Sequence, residues 1–116
     1  MQATRQRVSV SLIIVHLISW MGVAVWAYLA LQRILDGFPS GSWLVFLLAI
    51  ILGGSHLAIS LLIGRRPTIA LGLTVFIFVA DVLLGLLVNP KAFVLALASV
   101  VLFLAVWRVR TAAVDG

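Results

Sequence analysis

The sequence places one carboxylate inside an almost uninterrupted apolar stretch. Asp81 lies near the middle of TVFIFVADVLLGLLVNP, which runs from Thr74 to Pro90, although the chain has only three acidic residues. An ionised carboxylate at this depth in a bilayer costs at least about 2.5 to 3.5 kcal/mol, so the side chain should point inward, find a partner or stay protonated. Asp81 could therefore hold a proton or cation, join its helix to a neighbour through a hydrogen bond, or pair with another protein chain.

Two histidines occupy the first two apolar stretches of the chain. Counted from the ends of antiparallel helices, His16 and His56 are expected within roughly 3 Å of the same depth. Two imidazoles at one level on adjacent helices could be the axial ligands of a b-type haem. Alternatively, each histidine could bond a carbonyl or a nearby serine, for which Ser19, Ser55 and Ser60 are available. We expect the second arrangement, with no haem and no metal ion.

Two groups of small residues predict close helix contacts. The first lies in ILGGSHLAIS and consists of Gly53, Gly54, Ser55 and Ala58. The second lies at helical spacing near the C-terminus and consists of Ala92, Ala96 and Ser99. Small residues let helix backbones approach closely in a membrane, where apolar side chains gain little by leaving lipid. We expect these faces to pack on other helices, within the chain rather than on a foreign one.

Composition decides the class of protein. The 116 residues are 65% hydrophobic and 9% charged, whereas about 25% of residues in a soluble domain are charged. The formal charge of +5 comes from arginines that flank apolar stretches, so it does not indicate nucleic-acid binding. There is no cysteine, and no phosphate-binding loop, HExxH motif or nucleophile with a neighbouring base. The sequence predicts an integral membrane protein that is not an enzyme.

The apolar stretches predict an all-α four-helix bundle that forms a single transmembrane domain. Four spans are expected at about 8–31, 43–64, 68–88 and 92–107, and the last is short beside the roughly 20 residues that a crossing requires. The first stretch also resembles a signal peptide, with Arg5 and Arg7 before it. Because its apolar part is longer than that of a signal peptide, we expect a retained helix.

Basic residues predict the orientation. Six of the eight belong to one side of the predicted bundle: Arg5, Arg7, Arg65, Arg66, Arg108 and Arg110. The other two, Arg33 and Lys91, belong to the opposite side. Since cytoplasmic loops carry an excess of Lys and Arg, both termini should face the cytoplasm of a multi-pass protein of the inner (plasma) membrane. Arg65, Arg66, Arg108 and Arg110 should then face lipid headgroups.

Two sequence segments suggest a relationship. With GRRPTIALGL after the second span and NPKAF before the fourth, the chain resembles small four-helix membrane proteins of unknown function from bacteria, actinobacteria in particular. In length and helix number it is also similar to small multidrug-resistance transporters. That family has an essential glutamate in its first helix, where this chain offers only Ser11, His16 and Ser19. The resemblance to small four-helix membrane proteins implies a four-helix bundle. The similarity to the transporters assigns no transport residue to this chain.

Three functions agree with these residues. We favour a non-catalytic accessory subunit that packs against and stabilises a larger membrane complex, either a transporter, including one for lipid or solute import, or a respiratory complex. The alternatives are a haem-binding electron-transfer subunit that uses His16 and His56, and a small proton-coupled transporter that uses Asp81. Membrane lipids and the larger complex are the expected partners, and no nucleic acid or soluble substrate is expected.

Overall fold

The computed structural model describes residues 2–37 and 42–115, and within these residues the chain forms four α-helices and no strand. They are α1 (Gln2–Leu35), α2 (Ser42–Leu62), α3 (Pro67–Leu87) and α4 (Ala92–Asp115). Each contains a stretch long and apolar enough to cross a bilayer. The predicted all-helical fold is therefore confirmed, with four helices that are long and apolar enough to span a membrane.

Two helices extend beyond the predicted spans. The fourth continues past Trp107 to Asp115, and its apolar part alone covers the 21 residues of Ala92–Ala112. Hydropathy identifies the part of a helix that fits the hydrocarbon, whereas Arg108 and Arg110 are good helix formers whose long side chains can reach the headgroups. The fourth span is thus not short. The first helix likewise extends beyond the predicted 8–31 at both ends.

The helix ends follow local backbone chemistry. After α1, Gly37 adopts a φ of 72° and donates its N–H to the carbonyl of Ile34 at 3.1 Å, a left-handed conformation that favours glycine. Pro67 lies in the first turn of α3, where its missing N–H costs nothing. Residues 38–41, which include Pro39 and Gly41, lie outside the described residues.

The helices form a ring in which each contacts its two neighbours. The most extensive contacts join α1 to α2 and α3 to α4, while α1 with α4 and α2 with α3 complete the ring. Short connections make consecutive helices antiparallel. Each helix contributes a fully buried apolar side chain to the core: Val15, Leu52, Ile77 and Leu102. The core therefore runs along the axis of one bundle.

The interior also collects polar side chains, while large apolar side chains cover the outside. The buried polar residues among those described are Ser11, Ser19, Ser55, His56, Thr74, Asp81 and Ser99. Lipid is as apolar as the core, so what distinguishes inside from outside here is the need of polar groups for partners. The side chains that could do chemistry therefore lie mostly inside the bundle.

Candidate functional site

Asp81 joins α3 to α4 inside the bundle. Its side chain is only 1% exposed, and its Oδ2 lies 2.7 Å from the hydroxyl oxygen of Ser99. The same hydroxyl lies 2.9 Å from the backbone carbonyl of Leu95, one turn earlier in α4. The other carboxyl oxygen, Oδ1, is buried and has no hydrogen-bond partner among the described residues. Asp81 therefore points inward, as its position requires, but only half of its carboxyl group is bonded.

His56 is held in one orientation by its own helix. The ring is buried, and its Nδ1 donates a hydrogen bond to the carbonyl of Leu52 at 2.7 Å. A carbonyl can only accept, so this bond places a hydrogen on Nδ1 and leaves Nε2 with a lone pair in the neutral ring. The ring lies against the backbone of α1 at Gly22, where an added Cβ would be 2.6 Å from Nε2.

His56 and Asp81 line the same cavity. It has a volume of about 100 Å³ and is walled by all four helices, with Gly22 and Trp26 from α1 and with Leu95 and Ala98 from α4. Side chains on a helix lean toward its N-terminus, and α2 and α3 run in opposite directions. The side chain of His56 thus leans toward the level of Asp81, and that of Asp81 toward the level of His56. Nothing in the sequence alone pairs these two residues.

His16 occupies a different environment. Its side chain is exposed on the outside of α1, and its Nδ1 lies 2.7 Å from the hydroxyl oxygen of Ser60 on α2. Since Ser60 is four residues from His56, the two histidines are separated by about 6 Å along the bundle. They are not at the common level that the sequence predicted, and they face different surroundings.

The two histidines do not fit a bis-histidine haem. Axial ligands must approach one iron from opposite sides of a flat macrocycle. Here His56 is buried beside the cavity of about 100 Å³, while His16 lies on the outer surface. Within the described ranges, no three His, Asp or Glu side chains come close enough to hold a metal ion.

The small residues divide between inside and outside. Gly53 faces α1, where its Cβ would be 3.2 Å from that of Trp26, and Ser55 donates its hydroxyl hydrogen to Ile51 in its own helix. An added Cβ at Gly54 would meet nothing within 4 Å. Ala58 is half-buried. On α4, Ala96 and Ser99 are buried and Ala92 is half-buried, so this face belongs to the internal packing.

Arginines gather at one end of the bundle, which we call the arginine end. Arg65, Arg66 and Arg108 are exposed there. Arg110 is half-buried: its Nε donates to the hydroxyl of Thr68 at 3.2 Å, and its guanidinium lies 5.9 Å from the centre of the Trp107 ring. Arg110 therefore links the two helices of the α3–α4 pair, unlike the other three.

Sequence reasoning missed the part of α1 that completes the cavity. Ser11, Ser19 and Gly22 recur at helical spacing, and the two serines are buried. This row of small residues was the available signal for a close helix approach, but only the structure shows that the ring of His56 lies against Gly22. Comparisons with protein-family models, with curated proteins and with solved structures found no match to this chain.

Proposed function

We propose that this chain is a non-catalytic integral membrane subunit that packs against a larger membrane complex through the outer face of α1. The observation that carries the proposal is the exposure of His16 within the apolar span that begins at Ser9. The ring is seven residues into that span, about 10 Å along the helix axis. A polar side chain at such a depth normally faces protein or water.

The hydrogen bonding of His16 supports the proposal that a second protein chain packs over its ring. Ser60 engages Nδ1, and the described residues provide no partner for Nε2. Around the ring, α1 presents an open groove lined by Ile13, Leu17 and Trp20. The partner that fits is a transmembrane helix that carries a hydrogen-bonding side chain at this level, because an interhelical hydrogen bond would satisfy Nε2 without water.

The same proposal includes the orientation and the location. We infer that the arginine end faces the cytoplasm and that the protein lies in the inner (plasma) membrane. The support is the distribution of charge: Arg65, Arg66, Arg108 and Arg110 are at this end, whereas Arg33 and Lys91 are near the other. Exposed guanidinium groups at that end would also contact anionic headgroups.

Site-specific crosslinking in native membranes tests the contact. A photoreactive amino acid replaces either Ile13 or Leu17, which flank His16, or either Val79 or Leu83 on α3, which are also exposed. We expect a discrete protein adduct from the two α1 positions and none from the two α3 positions. Adding His16→Leu should weaken the adduct, and His16→Gln, which keeps a hydrogen-bonding group, should retain most of it.

The α3 positions are the matched control, because they are apolar, lipid-facing and similarly exposed. Adducts with lipid alone at all four positions would contradict the proposal. So would a protein adduct of equal yield from both helices, since that result indicates random encounter. Mass spectrometry of the α1 adduct then identifies the partner directly.

A further inference from the structure

We propose that the cavity between His56 and Asp81 is an intramembrane proton-binding site, in which the Asp81 carboxyl carries the proton and water bonds to Asp81 Oδ1 and His56 Nε2. This inference goes beyond the proposed function, because it concerns the interior of the isolated bundle and needs no partner chain. It would also supply the proton site that the transporter alternative requires.

The contacts of Ser99 indicate where the proton lies. Its hydroxyl oxygen is 2.7 Å from Asp81 Oδ2 and 2.9 Å from the carbonyl of Leu95, yet a hydroxyl has one hydrogen to donate. If Asp81 were ionised, both neighbours would be acceptors and one short contact would lack a hydrogen. If Oδ2 carries a proton, Asp81 donates to Ser99 and Ser99 donates to Leu95. Both contacts are then complete hydrogen bonds.

The unbonded atoms indicate the second component of the site. Asp81 Oδ1 is a buried acceptor without a partner among the described residues, and His56 Nε2 is left as an acceptor by the bond to Leu52. Water can donate to both, whereas neither atom can donate to the other. The cavity of about 100 Å³ that the two side chains share has room for water, which occupies about 30 Å³ per molecule in the liquid.

The surroundings contain no competing charge. The lining residues of α1 are Ile18, Met21, Gly22, Val25 and Trp26, none of which titrates in the accessible range. The lining residues of α4 are Leu95 and Ala98. Ser99, also on α4, is hydrogen-bonded to Asp81 Oδ2. In the part of the chain that the structure describes, His56 is thus the one other titratable group that faces Asp81. A proton on the carboxyl keeps the pair neutral, which is the favourable state in an interior of low dielectric constant.

Infrared spectroscopy of the full chain in lipid vesicles at neutral pH tests the assignment. We expect the carbonyl-stretch absorption of a protonated carboxylic acid in the wild type and its loss in Asp81→Asn, which keeps the bulk and a hydrogen-bonding group. Ser99→Ala should retain the absorption at a shifted frequency, because the bond from the acid is lost. Asp36→Asn is the control and should leave it unchanged, since Asp36 is exposed.

Nitrogen NMR of isotope-labelled histidine independently measures the protonation of the His56 ring, which lines the cavity opposite Asp81. His16→Gln leaves His56 as the single histidine. We expect its ring to be neutral, with hydrogen on Nδ1 and none on Nε2. An imidazolium signal, no carboxylic-acid band in the wild type, or a band that survives Asp81→Asn would each overturn the proposal. None of these results depends on the crosslinking test of the partner.

Discussion

The imidazole of His56 occupies the space beside Gly22 in which any larger residue would need its Cβ. An added Cβ would lie 2.6 Å from Nε2 and 2.5 Å from Cγ, closer than two unbonded atoms can be. Glycine is therefore required at this position for steric reasons. The contact also determines how closely α1 and α2 approach at the level of the cavity.

Gly22→Ala should destabilise the bundle by about 1 to 3 kcal/mol, the usual cost of inserting extra volume into a packed interior. His56 cannot easily move away, because it is buried and bonded to Leu52. The measurement is thermal or denaturant unfolding in detergent micelles. Gly72→Ala is the matched control, because an added Cβ there meets nothing within 4 Å. A second change, His56→Ala, should remove most of the steric penalty, and equal stability of the Gly22 and Gly72 variants would refute this account.

Gly85→Ala should cost less than Gly22→Ala, although an added Cβ would lie 2.8 Å from the ring of Phe93. The difference comes from the neighbour: Phe93 is 38% exposed, so its ring can rotate toward lipid, whereas His56 is enclosed. Unfolding of the two alanine variants under the same conditions provides the comparison. A larger loss at Gly85 would mean that the α3–α4 contact is more rigid than its exposure indicates.

Replacement of Asp81 should separate hydrogen bonding from packing. Asp81→Asn can still bond Ser99 and should keep the association of α3 with α4. Asp81→Leu cannot, and should weaken that association by the roughly 0.6 to 2 kcal/mol typical of an interhelical hydrogen bond. Unfolding free energies in micelles measure both. Thr74→Val is the control, because Thr74 is buried but donates to Leu71 in its own helix.

Transport assays on the same variants distinguish the accessory and transporter functions. If the chain only packs against a partner, reconstituted vesicles should show no proton flux above empty vesicles, and Asp81→Asn should change nothing. A proton-driven flux in the wild type that disappears in Asp81→Asn, with folding intact, would favour the transporter.

The orientation can be measured directly, because the chain has no cysteine and every introduced one is unique. Gly64→Cys lies at the arginine end, and Asn89→Cys lies in the turn between α3 and α4 at the other end. We expect a membrane-impermeant thiol reagent applied to whole cells to label position 89 and to spare position 64. The reverse pattern would exclude cytoplasmic termini. Labelling of both after membrane disruption is the control for reactivity.

The sequence was sufficient to predict the number of spans but not the contacts between side chains of different helices. The starts of α2, α3 and α4 were predicted to within one residue, because Trp43, Pro67 and Ala92 follow polar segments of the sequence. The neighbours of His56 could not be predicted. Apolar residues predominate on both the lipid and the core side of all four helices, so the few buried polar residues give only a coarse signal for rotation about the helix axis. A hydrogen bond from a histidine to Ser60 was among the alternatives that the sequence offered. The cavity could not be predicted, because its lining depends on the rotation of all four helices.

The uneven contacts within the ring have a consequence for biogenesis. The chain consists of two helical hairpins, α1–α2 and α3–α4, joined at Arg65 and Arg66, and packing is most extensive inside each hairpin. The first hairpin can therefore pack as a unit before the second has been synthesised. His56 belongs to the first hairpin and Asp81 to the second. The polar cavity comes into existence only when the two hairpins associate, so its completion reports that association.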